Sequence, residues 1–127
     1  MKVFSTYYDK VPKLDKSAYT FVRISRAEPP EWFAEMVGEY VDFSDIFGPT
    51  KAMLEECHPT KDWQAFEPRY KKEILGALDK MAVYELLSKI SSEHQGRPIL
   101  LCCVEAPPEN CHRYLLSDFI GINIEEL

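Results

Sequence analysis

No stretch of the 127 residues approaches the roughly 18–20 apolar residues that a membrane span requires. Glycine is scarce, at 5 residues, and none gathers into a phosphate-cradling loop. A serine nucleophile elbow and an HExxH helix are both missing, and the cysteine-to-arginine spacing does not match a Cys-x5-Arg phosphatase loop. Excess positive charge is lacking too: a net charge of −6 argues against a general nucleic-acid binder. The opening Met1-Lys2-Val3-Phe4-Ser5 reads as a strand, without the apolar region or cleavage site of an export signal. Repeats, low-complexity tracts and linkers are absent. One domain over residues 1–127 is therefore expected, in the cytoplasm.

What is present suffices for a core, with 46% apolar residues. The 4 cysteines (Cys57, Cys102, Cys103 and Cys111) are clustered, and two are adjacent. That distribution suits reduced thiols better than a disulfide framework. Charge is uneven: residues 1–26 sum to +4 and the remainder to −10. Solvated lysines are the plain explanation, and an anion-attracting edge the sharper one.

Lys2–Tyr8 and Ala18–Ile24 are rich in β-branched and aromatic residues and read as strands, their relative direction left open by the short connection. Pro30 suits the first turn of a helix carrying Trp32, Phe33, Met36 and Val37. Residues 41–49 read as an irregular connection. Thr50 suits the cap of a short helix through Cys57, and Thr60 the cap of the next, where Trp63, Phe66 and Tyr70 recur at helical spacing. Pro68 marks a first-turn position or a kink. The clearest helix runs from an Asp79 cap to His94, with Val83, Leu86, Leu87 and Ile90 on one face and Gly96 closing it. The continuous apolar run Pro98–Val104 fits a strand covered on both faces. A polar loop, a helix from about Cys111 to Ile120, Gly121 and a short strand Ile122–Ile124 follow. This alternation predicts an α/β fold: a three-layer, Rossmann-like sandwich with a small, mostly parallel sheet and helices on both faces. Ligands in such folds sit beyond the carboxyl ends of the strands, which points at the loop after Val104.

Around that loop the residue types concentrate. Glu105 emerges from the buried strand, two prolines stiffen the loop, and Asn110 suits an N-cap that would set Cys111, His112 and Arg113 in the first helical turn. A cysteine at a helix start beside cations has its pKa lowered from about 8.5 to roughly 3.5–7.5. An imidazole beside an activated thiol is the arrangement of nucleophilic cysteine chemistry, although neighbouring helix residues diverge by about 100°. Arg113 suits a phosphate or carboxylate. Cys103 is either a packed strand residue or the partner of Cys111 across the loop, whereas Cys102 reads as an ordinary buried residue. Arg23 and Arg26 could share an anion with Arg113. Trp32, Phe33, Trp63, Phe66 and Tyr70 read as core. His58 and His94 show nothing beyond loop and helix-end positions.

Leu100-Leu101-Cys102-Cys103-Val104-Glu105, followed six residues on by Cys111-His112-Arg113, resembles the signature of the family called domain of unknown function 488. Ile24-Ser25-Arg26 with Pro29-Pro30-Glu31-Trp32-Phe33, and Trp63, Phe66, Tyr70 with Glu73, are similar to less specific stretches of some members. The family's polar first-strand segment would correspond to Ser5-Thr6-Tyr7, so the resemblance implies ligand-facing roles for Ser5 and Thr6. The adjacent Cys102 and the diproline depart from the family pattern. The resemblance implies a fold and a site rather than a reaction.

The leading expectation is a protein that binds an anionic small molecule, a nucleotide or phosphorylated metabolite. Cys111 would be nucleophile, His112 its acid–base neighbour, Glu105 the orienting carboxylate, and Arg113, Asn110, Cys103, Arg26, Ser5 and Thr6 the binding residues. A non-catalytic sensing or interaction module, with the motif structural, is the alternative, so enzymatic activity stays open. A metal-binding role is third. No cofactor is expected: Cys103, Glu105, Cys111 and His112 are zinc-ligand types, but the usual Cys-x2–4-Cys spacing is missing. Oligomeric state has no signal in the sequence.

Overall fold

The computed structural model describes residues 1–59, 61–122 and 124–127. The chain runs β1 (Val3–Tyr7), a 3-10 segment (Tyr8–Lys13), β2 (Thr20–Arg23), α1 (Glu31–Val37), β3 (Val41–Asp42), α2 (Ser44–Phe47) and α3 (Lys51–Glu56). It continues through α4 (Trp63–Glu73), a 3-10 turn (Leu75–Ala77), α5 (Lys80–Glu93), β4 (Ile99–Cys103), α6 (His112–Ile120) and β5 (Glu125–Glu126). The strands form one sheet in the order β3-β2-β4-β1-β5, and every pairing is parallel. β1 and β2 are therefore parallel but not neighbours, because β4 lies between them.

β4 is buried along its whole length. Its pleat sends Ile99, Leu101 and Cys103 to one face, with Val3, Val22 and Ile24 and the apolar sides of α3, α4, α5 and α6. Leu100 and Cys102 point the other way, onto Phe21, Tyr8, Val11 and Phe33, covered by α1 and the 3-10 segment. Each of the two leucines contributes about 1.5–3 kcal/mol by leaving water. The continuous apolar run thus meets helices on both faces, as a three-layer α/β sandwich requires.

Local signals hold where a side chain does the work. Thr50 Oγ1 accepts from the Met53 amide at 3.1 Å. Asp79 Oδ2 accepts from the Ala82 amide at 3.2 Å. Gly121 closes α6 at φ 76°, a left-handed position that glycine takes without strain. Pro68 neither starts nor breaks a helix; α4 runs through it, capped by Asp62. The expectation for Thr60 falls outside the described residues.

Several expectations are corrected. Residues 41–49 carry β3 and α2 rather than an irregular link, since a two-residue edge strand and a single helical turn show no sequence period. α5 ends at Glu93 with His94, not Gly96, in the cap position, although Gly96 does take φ 71°. On α1, Phe33 is buried while Met36 is exposed. The last strand is Glu125–Glu126, pairing Phe4 and Ser5 of β1, rather than the span 122–124, of which Asn123 is outside the described residues. Two glutamates are poor strand formers by propensity; β1 recruits them through its free edge. No helix among the described residues is long and apolar enough to cross a membrane.

Candidate functional site: two thiols and an imidazole

β4 delivers Cys103 at its carboxyl end, the loop 104–110 reverses the chain, and α6 returns beneath it. Asn110 is exposed and does not cap the helix; Cys111 takes the cap position with extended backbone, and no side chain accepts from the first turn. This one-residue shift matters. A cap residue outside the helical spiral is freed from the 100° step that would have turned Cys111 away from His112.

The result is a compact cluster. One sulfur each from Cys103 and Cys111 and a ring nitrogen of His112 lie within 4.8 Å of one another, and all three residues are buried. Cys103 Sγ is 3.7 Å from His112 Nδ1 and 3.7 Å from Glu105 Oε2, while Cys111 Sγ is 3.9 Å from His112 Nδ1. At 2.8 Å, His112 Nε2 must donate to the Ile24 carbonyl, since a carbonyl only accepts. That bond fixes the ring and leaves Nδ1 facing the sulfurs. Tyr70 packs against the imidazole at 5.3 Å between ring centroids, and its hydroxyl donates to the Phe47 carbonyl.

Electrostatics divides the two thiols. Burial opposes ionising Cys111, but the hydrogen bond from the Cys103 thiol and the charges of His112 and Arg113 outweigh it and hold its pKa well below the usual thiol value. Burial and the neighbouring Cys111 push Cys103 well up. Burial disfavours a charged His112, yet the Cys111 thiolate raises its pKa on balance. Glu105 is pushed up to about 7, first by burial and then by Cys111. The shifts therefore favour charge on Cys111 and His112 and a retained proton on Cys103 and Glu105.

A crevice of about 80 Å³ reaches it, walled by Cys103, Glu105, His112, Ser25, Arg26 and His58, among others. Cys111 sits behind that wall. A cavity of about 800 Å³ lies at the other end of the sheet, beside Thr20, Tyr40 and Arg97. It is lined by no cysteine and sits at the amino ends of β2 and β3, the end opposite to where parallel sheets hold ligands, so the small crevice is the stronger candidate.

Arg113 departs from its expected role. It is fully buried, donating from Nε and Nη2 to the two Glu126 oxygens at 3.0 and 2.9 Å. Nη1 donates to the Glu105 carbonyl at 2.7 Å, and Nη2 also to the Tyr114 hydroxyl at 2.8 Å. Its anion is the chain's own Glu126, and Glu105 meets it through the backbone rather than the carboxylate. Ser5 and Thr6 likewise face the final strand: Ser5 Oγ donates to Glu126 Oε1 at 2.7 Å and Thr6 Oγ1 to the Leu127 carbonyl at 3.5 Å. Arg26 walls the crevice but spends its guanidinium on the Pro49 and Ser44 carbonyls and Asp45. Arg23 is held by Asp42 and the carbonyls of Ser25, Arg26 and Ala27. The shared anion site of Arg23, Arg26 and Arg113 does not form, because each cation is already neutralised or bonded.

Sequence reasoning missed the Ile24 carbonyl, Ser25, His58 and Glu126. Ser25 lay within a stretch that carried the family resemblance. A backbone carbonyl and a terminal glutamate carry no local signal, since parallel neighbours distant in sequence bring them in.

No curated protein and no solved structure matches the chain significantly. A family model described as "Active DUF488-N3 subclade" matches residues 9–123. That span takes in β2, β4, the thiol cluster and α6, and places the chain in the domain of unknown function 488 family.

Proposed function

We propose that the protein is a thiol-dependent enzyme or sensor in which the paired sulfurs of Cys103 and Cys111, charged with the help of His112, act on a small molecule entering the crevice. The observation that carries this reading is the convergence of two sulfurs and a ring nitrogen within 4.8 Å behind an opening. A structural histidine needs neither the thiolate nor the access. The word "active" in the family model's description supports a reactive site.

The Cys-His-Arg motif divides between two jobs. Arg113 locks α6 to β5, which is the role the non-catalytic reading assigns to the whole motif, while Cys111 and His112 remain available for chemistry. The negative charge stabilised at the start of α6 is the Cys111 thiolate itself. A crevice of about 80 Å³ admits a few heavy atoms, whereas pockets for drug-sized ligands measure about 300–1,000 Å³. A small electrophile, or the reactive tip of a larger anion, fits better than an enclosed nucleotide. Such chemistry needs reduced thiols, and so a reducing compartment such as the cytoplasm.

Rates of iodoacetamide labelling, mapped by peptide, test the reading. The Cys103–Cys111 pair should label much faster than Cys57 and Cys102 at neutral pH, with the rate persisting below pH 7. Equal rates at all four cysteines would remove the case for an activated thiol.

One observation favours a second reading. Cys103, Cys111 and His112 are close enough to share one soft metal ion, with Glu105 beside Cys103 as a further oxygen donor. The Nε2 bond to Ile24 would orient the imidazole as metal-bound histidines commonly are. Elemental analysis of protein purified without chelator decides it: stoichiometric zinc favours this reading, and its absence leaves the thiol chemistry.

A further inference from the structure

The two sulfurs are placed for more than mutual polarisation. Cys103 ends a strand and Cys111 caps the following helix, with only the loop 104–110 between them. Their sulfurs lie within 4.8 Å, so side-chain rotation and a small loop adjustment bring them to the roughly 2.05 Å of a disulfide. Among the described residues, neither of the other two cysteines belongs to that cluster. Cys102 faces the opposite side of the sheet, its thiol bonded to the Leu100 carbonyl. Cys57 lies at the end of α3, in contact with Arg69.

Access selects the reagent. The crevice of about 80 Å³ compares with the roughly 30 Å³ that one water occupies in the liquid, so it holds whole a molecule of two or three heavy atoms, or the reactive tip of a longer one. Its wall presents Cys103 and His112 side by side. An acid (His112) and a carboxyl (Glu105) border the same space, where a departing hydroxide would need a proton.

We propose that Cys103 and Cys111 form a peroxide-oxidisable dithiol, with hydrogen peroxide or a comparably small hydroperoxide as the substrate that closes them into an intramolecular disulfide. This rests on the reading of the cluster as a thiol centre and names its substrate class. In the first step the Cys103 proton passes to Cys111, and the crevice-facing Cys103 sulfur attacks a peroxide oxygen. The O–O bond breaks, Cys103 becomes a sulfenic acid, and hydroxide leaves as water with the His112 proton. In the second step the Cys111 sulfur attacks the Cys103 sulfur, the S–OH bond breaks, and the hydroxyl departs as water with the Cys111 proton. Two thiols lose two electrons, one peroxide becomes two waters, and an external dithiol restores the pair.

The test is intact-mass and peptide mapping of reduced wild-type protein after one equivalent of hydrogen peroxide. A loss of two hydrogens in mass, a cross-link between the Cys103 and Cys111 peptides, and reversal by dithiothreitol are expected. C111S, which lacks both the proton acceptor and the second sulfur, should form no disulfide; in wild type, dimedone added with the peroxide should trap a sulfenic acid on Cys103; and C103S should yield neither product. An unchanged wild-type mass, a bridge through Cys57 or Cys102, or dimedone trapped on Cys111 of C103S would overturn the proposal. Wild-type mass needs no variant to fold. Iodoacetamide labelling of the same sample separates the two failures: fast labelling without a disulfide sinks the peroxide step alone, and slow labelling sinks the thiol centre as well.

Discussion

His112 binds in two directions at once, and each can be read separately. Nε2 holds the Ile24 carbonyl, and Nδ1 faces the sulfurs. His112→Asn should remove the cation that favours the Cys111 thiolate, so the pH midpoint of thiol labelling moves upward, while the loss of a buried hydrogen bond costs about 1–3 kcal/mol of stability. An unchanged labelling profile in a folded variant would show that the imidazole does not charge the sulfur. Glu105 offers a complementary test. Its folded pKa, about 7, lies above its unfolded value, so the folded state favours the protonated form. Its contribution to stability is complete below the unfolded pKa and declines as pH rises through about 7. Glu105→Gln cannot ionise, so its melting temperature should gain on wild type between about pH 5 and pH 8. A parallel pair of curves would contradict the assignment.

At the scale of elements, the final strand is fastened by a charge pair rather than by apolar contact. β5 is two exposed glutamates, yet Glu126 takes two bonds from Arg113 and one from Ser5. Breaking a buried pair by removing one partner costs about 3–5 kcal/mol; because Glu126 keeps some solvent access, Arg113→Ala should cost about 2–3 kcal/mol. A fall in the urea midpoint at unchanged slope is the expected readout. A midpoint within a few tenths of wild type would mean that β5 contributes little. The cap of α5 is a smaller device: Asp79→Ala should lower stability by about 1 kcal/mol through the lost bond to Ala82, measured in the same titrations.

Across the whole molecule, legibility follows the range of the interaction. The apolar run of β4 was readable because burial on both faces leaves no polar residue in it, and Thr50 and Asp79 because a cap is a contact three residues long. That the thiol cluster lies at the carboxyl end of β4 was readable from the rule for parallel strands. Strand order was not: that β4 separates β1 from β2 depends on which edges remain free after every helix has packed. The partner of Arg113 was hidden for the same reason, since Glu126 reaches it only after β5 has joined β1. The Cys111–His112 convergence depended on a one-residue shift of the helix start, finer than cap preferences resolve when Asn110 is the better cap by type.

The opposite orientations of Cys102 and Cys103 carry a practical benefit. Two identical side chains, joined by one peptide bond, sit in chemically unrelated surroundings, so any fragment spanning them carries both a reporter and its blank. Their labelling ratio within that fragment cancels errors of dose, digestion and recovery. Denaturant should drive that ratio towards unity, which turns a single peptide into a gauge of whether the native sheet was intact when the reagent arrived.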